Sequence, residues 1–216
     1  NPKRAVHAFC HCLPGMWHQM SVFLSAASCL TWAADILGAE NEVALLGMIE
    51  SGSPGPSDEI FLPYLSGERT PHNDPNAKGV FFGLTHDSNR AALGRAVLEG
   101  VAFAFADGQD ALTGAGAEID TVSVIGGGSR SRLWGEILAS VLNRPLTYHA
   151  GGEVGPAFGA ARLARLAATG EDPAAVCTPP PVTRVIEPDP TLADQYAARL
   201  PRFRRLYEKL KDEFRC

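Results

Sequence analysis

The stretch Thr121-Val-Ser-Val-Ile-Gly-Gly-Gly-Ser-Arg-Ser-Arg-Leu-Trp-Gly-Glu-Ile-Leu-Ala-Ser-Val-Leu-Asn143 decides how this chain is expected to fold. Its first part, residues 122–125, predicts a buried strand, because β-branched residues in near alternation favour extended structure. Three glycines then predict a turn. Leu133, Ile137 and Val141 follow at every fourth position, which is typical of a helix. The stretch therefore predicts a strand, a glycine turn and a helix in succession.

The glycine turn itself, Gly126, Gly127 and Gly128, has two interpretations. Glycine carries no Cβ and tolerates positive φ, so bare backbone beside a helix N-terminus can meet a flat or anionic ligand such as a nucleotide. The same residues also serve a plain strand-to-helix turn, which is common in α/β proteins. The turn alone does not separate the two interpretations.

Composition limits the classes of protein that this chain can belong to. With 216 residues, 45% apolar and 20% charged, it is typical of one globular domain. The formal net charge of −5 disfavours nucleic acid and anionic membranes as partners. No apolar run approaches the length of a membrane span. Five cysteines at irregular positions do not form a disulfide framework, which favours the reducing cytoplasm.

The N-terminal residues carry two further signals. Cys10, His11 and Cys12 are close in sequence, but neighbouring side chains of a strand point to opposite faces, so a zinc site is disfavoured. The chain opens on Asn1 rather than methionine, and no signal peptide is recognisable. We therefore expect a piece of a longer protein.

Hydrophobic periodicity and turn residues predict the remaining elements, which make an α/β domain. They are a β-hairpin of residues 5–12 and 17–22, a helix from Leu24 that ends at Gly38, a long helix capped by Asp87 or Ser88, a strand over residues 145–148, a helix from Pro156 to about Ala168 and a final helix over residues 191–213. Glycines inside the long helix predict close contacts with neighbouring elements. In a polar loop over residues 65–75, Glu68 and Arg69 could bind a ligand, but an ion pair between them that holds the loop is favoured.

Five blocks of the sequence, in one order, resemble a known family. They are Leu62-Pro-Tyr-Leu-Ser-Gly-Glu-Arg-Thr-Pro-His-Asn-Asp-Pro75, Lys78-Gly-Val-Phe-Phe-Gly-Leu84, Arg95-Ala-Val-Leu-Glu-Gly100, Gly126-Gly-Gly-Ser-Arg-Ser131 and Gly155-Pro-Ala-Phe-Gly-Ala-Ala-Arg162. The chain thereby resembles the FGGY carbohydrate kinases, and among them the bacterial members that act on D-xylulose. The likeness runs from about Phe9 to Tyr207. It implies an actin-like, ribonuclease-H-like α/β domain, with a mixed β-sheet flanked by helices.

The resemblance also implies that two domains of the protein bind different substrates. Residues 1–216 correspond to the C-terminal, nucleotide-binding domain, and the N-terminal sugar-binding domain lies outside the chain. The implied cofactor is ATP or ADP, with Mg²⁺ held mainly by the nucleotide and the other domain. The residues implied to bind it are Gly126, Gly127, Gly128, Ser131, Ala27 and Thr31. The family often has glycine at position 27, so the methyl group of Ala27 narrows the implied nucleotide-binding site. The family often has an acidic residue at position 92, so Ala92 affects the capping of the long helix.

The resemblance places no catalytic residue and no metal ligand in this chain. The expected aspartate base would precede Asn1, so the chain alone is expected to be inactive, because phosphoryl transfer needs a closed cleft. The implied reaction is the phosphorylation of D-xylulose by ATP, with D-xylulose held by the N-terminal domain. Alternatives are a kinase of a related pentulose or polyol, and a non-catalytic actin-like nucleotide-binding module. A Rossmann dehydrogenase is disfavoured because Ser131 stands where its third glycine belongs. A homodimer is kept as a hypothesis.

Overall fold

One helix of 24 residues, α3 (Arg90–Thr113), runs through the centre of the molecule. We describe residues 1–215 from a computed structural model. The other helices are α1 (Ser28–Ile36), α2 (Glu42–Glu50), α4 (Arg132–Leu142), α5 (Pro156–Thr169), α6 (Pro173–Val176) and α7 (Pro190–Leu210). The strands are β1 (His7–Cys10), β2 (Trp17–Met20), β3 (Ile60–Pro63), β4 (Gly79–Phe82), β5 (Val122–Val124), β6 (Leu146–His149) and β7 (Val182–Ile186).

The strands form three small sheets, and β3 of the second sheet packs against this helix. β1 and β2 make the predicted antiparallel hairpin, and β3 and β4 make a second antiparallel pair. β5 and β6 are parallel, whereas β6 and β7 are antiparallel, so the third sheet is mixed. The sequence pattern gave no indication of β7, which follows directly on the proline run Pro179–Pro181 and has only its last residue buried.

Glycines in α3 allow neighbouring elements to approach it closely, as the sequence predicts. A Cβ on Gly100 would lie 2.3 Å from the backbone oxygen of Phe61, and one on Gly108 would lie 2.2 Å from the Phe23 ring. Both distances are far inside van der Waals contact, so a side chain at position 100 would clash with backbone and one at position 108 would displace the Phe23 ring. Phe61 then stacks on Trp32, with ring centroids 5.5 Å apart, which ties β3 and α1 to the same core.

The beginning of α3 differs from the prediction. Its cap is Asn89, whose Oδ1 accepts a hydrogen bond from the Ala92 N–H at 3.0 Å, and not Asp87 or Ser88. The Ser88 hydroxyl instead donates to the carboxylate of Glu59. Asparagine satisfies a free helical N–H as well as aspartate or serine does, so sequence alone did not separate neighbouring candidates.

Strand β5 is less buried than predicted. Its valines are half-buried, and Ile125 beyond it is 57% exposed. β5 pairs only with β6 and is therefore an edge of the mixed sheet. An edge position leaves one side of the strand open, which explains why alternating apolar residues did not become a fully buried strand.

The predicted ion pair in the polar loop is wrong. Glu68 is 1% exposed and accepts hydrogen bonds from the backbone N–H groups of Leu24, at 3.1 Å, and Arg69, at 2.7 Å. The Arg69 guanidinium makes no ion pair with it. Burial raises the pKa of Glu68 to about 7. The loop is thus held through its backbone rather than through opposite charges.

Within residues 1–215, every helix is too short or too polar to cross a lipid bilayer.

Candidate functional site

A pocket of about 370 Å³ opens between α1, α2 and the glycine turn that precedes α4. The residues around it are Ala27, Leu30, Thr31, Glu42, Val43, Leu46, Gly127, Gly128, Arg130, Ser131 and Trp134. They come from three segments of the chain, and α3 holds these segments together by packing against α1, α2 and α4. The site is therefore a product of the tertiary fold.

Five of the six residues singled out from the sequence lie around this one pocket. Gly127, Gly128 and Ser131 form one wall, and Ala27 and Thr31 form the wall that faces it. This is the arrangement in which a flat group could enter between two walls of small residues. What the pocket binds stays a prediction.

The sixth residue, Gly126, does not line the pocket but shapes the turn. Its φ is +86°, a conformation that glycine adopts without strain and that other residues rarely adopt. Its N–H donates to the Gly152 carbonyl at 2.9 Å. Gly126 thus positions the turn and is not among the residues that line the pocket.

The two glycines that line the pocket differ in their surroundings. A Cβ on Gly127 would meet no atom within 4 Å, so the space beside its backbone is open. A Cβ on Gly128 would lie 3.2 Å from the Trp134 ring. Gly127 therefore offers bare backbone to a ligand, whereas Gly128 also lets Trp134 pack beneath the turn.

Ser131 ends the turn and begins α4. Its Oγ accepts the Trp134 N–H at 3.1 Å, which is the usual bond of a helix N-cap. The Trp134 indole N–H donates to the Leu98 carbonyl at 3.3 Å, and this bond fixes the ring against α3. The pocket thus meets the N-terminal end of an 11-residue helix, where the partial charge is positive.

The facing wall comes from α1. Ala27 is the residue that precedes this helix, and Thr31 lies one turn further on; both are exposed to the pocket side. Leu30 between them is 7% exposed and belongs to the core. The methyl group of Ala27 is accommodated here, so the departure from glycine at this position narrows the pocket without closing it.

Helix α2 supplies a third wall that the sequence analysis missed. Glu42, Val43 and Leu46 lie around the pocket. A signal was present, because Asn41 is a typical N-cap, and its Oδ1 does accept the Ala44 N–H at 2.9 Å. It predicts where a helix begins, but it does not predict that this helix returns to the glycine turn.

Two charged side chains stand at the pocket. Arg130 is the cationic residue of the lining and lies at the end of the glycine turn, whereas Glu42 is the acidic one and lies in the first turn of α2. The Thr31 hydroxyl donates to Glu42 Oε1 at 2.5 Å. This hydrogen bond lowers the pKa of Glu42, so its carboxylate is ionised at neutral pH. The pocket therefore has an anionic edge and a cationic edge.

No metal site accompanies the pocket among residues 1–215. No three His, Cys, Asp or Glu side chains of these residues are grouped so as to hold an ion, and Cys10, His11 and Cys12 belong to no such group. A hard cation such as Mg²⁺ takes several oxygen ligands. That Mg²⁺ is held mainly through the nucleotide stays a prediction.

Comparisons with known proteins agree on one family. The C-terminal domain model of the FGGY family of carbohydrate kinases matches residues 1–168. Xylulose kinase of Escherichia coli is 51% identical over 97% of the chain, and that of Klebsiella pneumoniae is 48% identical over 97%. The chain spans 43% and 44% of the length of these two relatives.

Solved structures give the same result. The structure of a xyloylose kinase from Brucella ovis superposes with a TM-score of 0.91 at 49% identity, over 98% of this chain and 44% of that one. Xylulose kinase from Rhodospirillum rubrum follows with a TM-score of 0.84 at 31% identity. The expected actin-like α/β fold is confirmed. The chain belongs to the FGGY family of carbohydrate kinases, and its residues 1–168 match the C-terminal domain of that family.

Proposed function

We propose that this chain is the nucleotide-binding part of an ATP-dependent kinase that phosphorylates D-xylulose. The pocket between α1, α2 and the glycine turn is the proposed site for the adenosine part of ATP or ADP, through Gly127, Gly128, Ser131, Ala27 and Thr31, with Gly126 shaping the turn. The observation that carries the proposal is that residues 27–31 and 127–131, about 100 positions apart in sequence, line one open pocket.

The chemistry of the lining supports a nucleotide. Leu30, Leu46 and Trp134 give the lining an apolar part of the kind that a flat base requires, and Thr31, Glu42, Arg130 and Ser131 give it a small number of polar groups. The open backbone of Gly127 and the positive end of α4 favour an anionic group such as phosphate. Arg130 adds a cation beside them.

The choice of sugar rests on the relatives. Those at 51% and 48% identity are xylulose kinases, which favours D-xylulose over a related pentulose or polyol. Because the chain spans less than half of their length, the sugar site and the catalytic base are proposed to belong to residues outside this chain. The proposed contribution of this chain is to bind and orient the nucleotide, and its residues take no proton from the sugar.

Nucleotide binding is tested by calorimetry with ADP and ATP. Replacing Gly127 with valine fills the open space beside the turn, while its negative φ leaves the backbone unstrained. We expect binding to fall at least about tenfold, which is about 1.4 kcal/mol, while circular dichroism is unchanged. The control Gly159→Val lies on α5, also in open space, and should bind normally. Equal binding by all three proteins would contradict the proposed site.

Catalysis is tested by a coupled assay of ADP release with D-xylulose. We expect no turnover from this chain alone and clear turnover from a full-length protein that contains it, because a positioned base contributes about 10² to 10⁴ in rate. Xylulose-dependent turnover by the chain alone would contradict the division between two domains. No turnover by the folded full-length protein would contradict the choice of sugar.

Two further parts of the proposal concern the setting of the protein. We propose a cytoplasmic enzyme, since its cysteines are few and irregularly spaced.

A homodimer is a further hypothesis, for which the hairpin residues Trp17, 72% exposed, and Met16, 53% exposed, offer apolar surface. Sedimentation of the full-length protein, with and without Trp17→Ser, would test it: a monomer at all concentrations rejects the homodimer.

A further inference from the structure

The wall of the pocket that α1 provides depends on the segment that leads into this helix, residues 21–27. Ala27 occupies the N-cap position of α1, and its methyl side chain accepts no hydrogen bond from the free N–H groups of the first turn. A polar N-cap residue would fix the start of a helix, but α1 lacks such a cap. The position of its first turn is therefore set by the contacts of the residues that precede it.

The polar loop of residues 65–75 makes these contacts. The Leu24 N–H donates to Glu68 Oε1 at 3.1 Å, and the Val22 N–H donates to the Thr70 hydroxyl oxygen at 2.9 Å. The Thr70 N–H donates in return to the Val22 carbonyl at 3.0 Å. Glu68 and Thr70 are both buried, so water does not compete for these bonds. Three hydrogen bonds thus tie the segment before α1 to one loop.

The polar loop is itself anchored. Glu68 and Asp74 exchange two backbone hydrogen bonds, of 2.9 and 2.8 Å, which close the loop. The Asp74 carboxylate accepts the hydroxyl proton of Tyr207, a buried residue of α7, at 2.9 Å. Because both of its ends are held, the loop presents the Glu68 carboxylate and the Thr70 hydroxyl at fixed places.

Glu68 carries a feature that stability alone does not explain. Its second carboxylate oxygen, Oε2, is buried and has no hydrogen-bond partner among residues 1–215. Buried polar groups normally have partners, and one without a partner destabilises the folded state. Residues that break a packing rule in this way are expected at places that serve a functional site.

We propose that Glu68 is a positioning residue of the nucleotide pocket, which acts through the Leu24 N–H to set where Ala27 and the rest of α1 face the glycine turn. The proposal rests on the proposed nucleotide site and adds a residue that is not part of its lining. A change at Glu68 is therefore expected to reach a bound nucleotide only through α1.

The test is equilibrium binding of ADP to the full-length protein that contains this chain. Glu68→Leu removes the acceptor at similar size, and we expect its Kd to rise about fivefold, the factor that corresponds to one hydrogen bond of ordinary strength. Binding should weaken rather than vanish, because Phe23 also anchors the segment through its contact with Phe105 of α3. Glu68→Gln keeps an oxygen that accepts the Leu24 N–H and should bind within about twofold of the wild type.

Steady-state kinetics give a second readout that loss of stability would not produce. In Glu68→Leu we expect KM for ATP to rise by the same factor as Kd. The values of kcat and of KM for D-xylulose should change less than about twofold, which is the pattern of lost nucleotide binding.

Glu99→Leu is the matched control. Glu99 is also a buried carboxylate that accepts a backbone N–H, that of Ser57, but it lies on α3 and makes no hydrogen bond to the segment before α1. Its loss should lower stability and leave the affinity for ADP unchanged, at a temperature where circular dichroism shows every variant folded. Should Glu68→Leu not fold, Thr70→Val takes its place, since it removes the acceptor of the Val22 N–H, with Thr70→Ser as its conservative partner.

The outcomes separate this proposal from the one on which it rests. A folded Glu68→Leu that binds ADP like the wild type, while Gly127→Val does not, overturns the positioning role alone. Wild-type binding in both variants overturns the pocket as the nucleotide site. A loss in Glu99→Leu as large as in Glu68→Leu makes the effect one of general stability and overturns the positioning role. An equal loss in Glu68→Gln overturns the part assigned to the Leu24 hydrogen bond.

Discussion

Helices α3 and α5 are both rich in alanine and both contain glycine, yet they relate to the rest of the molecule in opposite ways. Of the 24 residues of α3, 14 are buried. Of the 14 residues of α5, none is buried. The comparison shows that similar compositions form a helix in both places. The neighbouring elements decide how many residues of each helix are buried.

The two helices are accordingly held by different forces. α3 packs against β3, α4, α2 and α1, so tertiary contacts stabilise it. α5 depends on local features: Pro156 at its first turn, Gly170 in the left-handed region at its end, and six alanines between them. A helix of this length without packing is marginal in water.

The largest expected difference is in amide hydrogen exchange. Amides in the buried part of α3 exchange only when the whole domain unfolds, whereas those of α5 exchange by local opening. With a global stability of at least about 5 kcal/mol, we expect α5 to exchange roughly 10³-fold faster. Exchange measured by mass spectrometry on this chain checks the ratio. Equal protection of both helices would contradict the comparison.

The next effect concerns Gly100 in α3. An alanine here would place its Cβ 2.3 Å from the Phe61 carbonyl oxygen, and a backbone atom cannot rotate away. We expect Gly100→Ala to lower the free energy of unfolding by roughly 3 kcal/mol or more, since the strain of overpacking exceeds the gain in helix propensity. Urea denaturation measures it. A change below 1 kcal/mol would show that β3 can shift away from α3.

A third prediction concerns the buried carboxylate of α3. Glu99 is 1% exposed, and burial raises its pKa to about 7, although it accepts hydrogen bonds from the Ser57 N–H and the Tyr196 hydroxyl. Its folded pKa lies above its unfolded value of 4.5. The stability that it contributes is therefore complete below pH 4.5 and is lost as the pH rises through 7. We expect Glu99 to contribute a loss of about 2 to 3 kcal/mol over this window, which Glu99→Gln removes. Glu68, whose pKa is also raised to about 7, keeps its own loss in this variant.

Glu171, just beyond α5, gives the opposite sign and serves as the control for Glu99. Its exposed carboxylate pairs with Arg165 at 2.5 Å, and this pair lowers its pKa to about 2. The stability that it contributes is present above its unfolded pKa and is lost as the pH falls toward 2. Glu171→Gln should leave the loss between pH 4.5 and 7 unchanged. Thermal unfolding of the wild type and both variants across this pH range checks both statements.

The smallest effect is expected for Gly159 in α5. A Cβ at this position would meet no atom within 4 Å, so the substitution adds helix propensity without a clash. We expect Gly159→Ala to raise the helix stability by roughly 0.5 to 1 kcal/mol. Slower exchange of the α5 amides, with α3 unchanged, is the readout. A destabilised protein would mean that this face of α5 is packed.

The sequence predicted the helices and strands better than it predicted how they pack against one another. The strand-turn-helix around Gly127 was predicted correctly, because periodicity and turn chemistry are local properties. β7 was missed, since it follows directly on a proline run and only the last of its residues, Val182–Ile186, is buried. The helix cap at Asn89 was placed one or two residues too early, because several polar residues there are equally able to cap.

The residues of the candidate site also divide into those that the sequence predicts and those that only the fold brings to the pocket. Gly127, Ser131 and Ala27 could be singled out through the family resemblance and the glycine turn. Glu42 could not be singled out, because it is the packing of α2 on α3 that places Glu42 beside the glycine turn. Contacts of this kind depend on residues far apart in the chain, and local patterns carry no information about them.

By itself the sequence determined the strand, glycine turn and helix around Gly127, the long helix α3 and the family to which the chain belongs, because those properties lie in short blocks of residues. Only the tertiary structure decided what each glycine does. Gly100 and Gly127 are chemically identical, but a strand backbone crosses the first and nothing lies beside the second. The physical reason is that the cost of a side chain depends on the atoms around it, and those atoms come from distant parts of the chain.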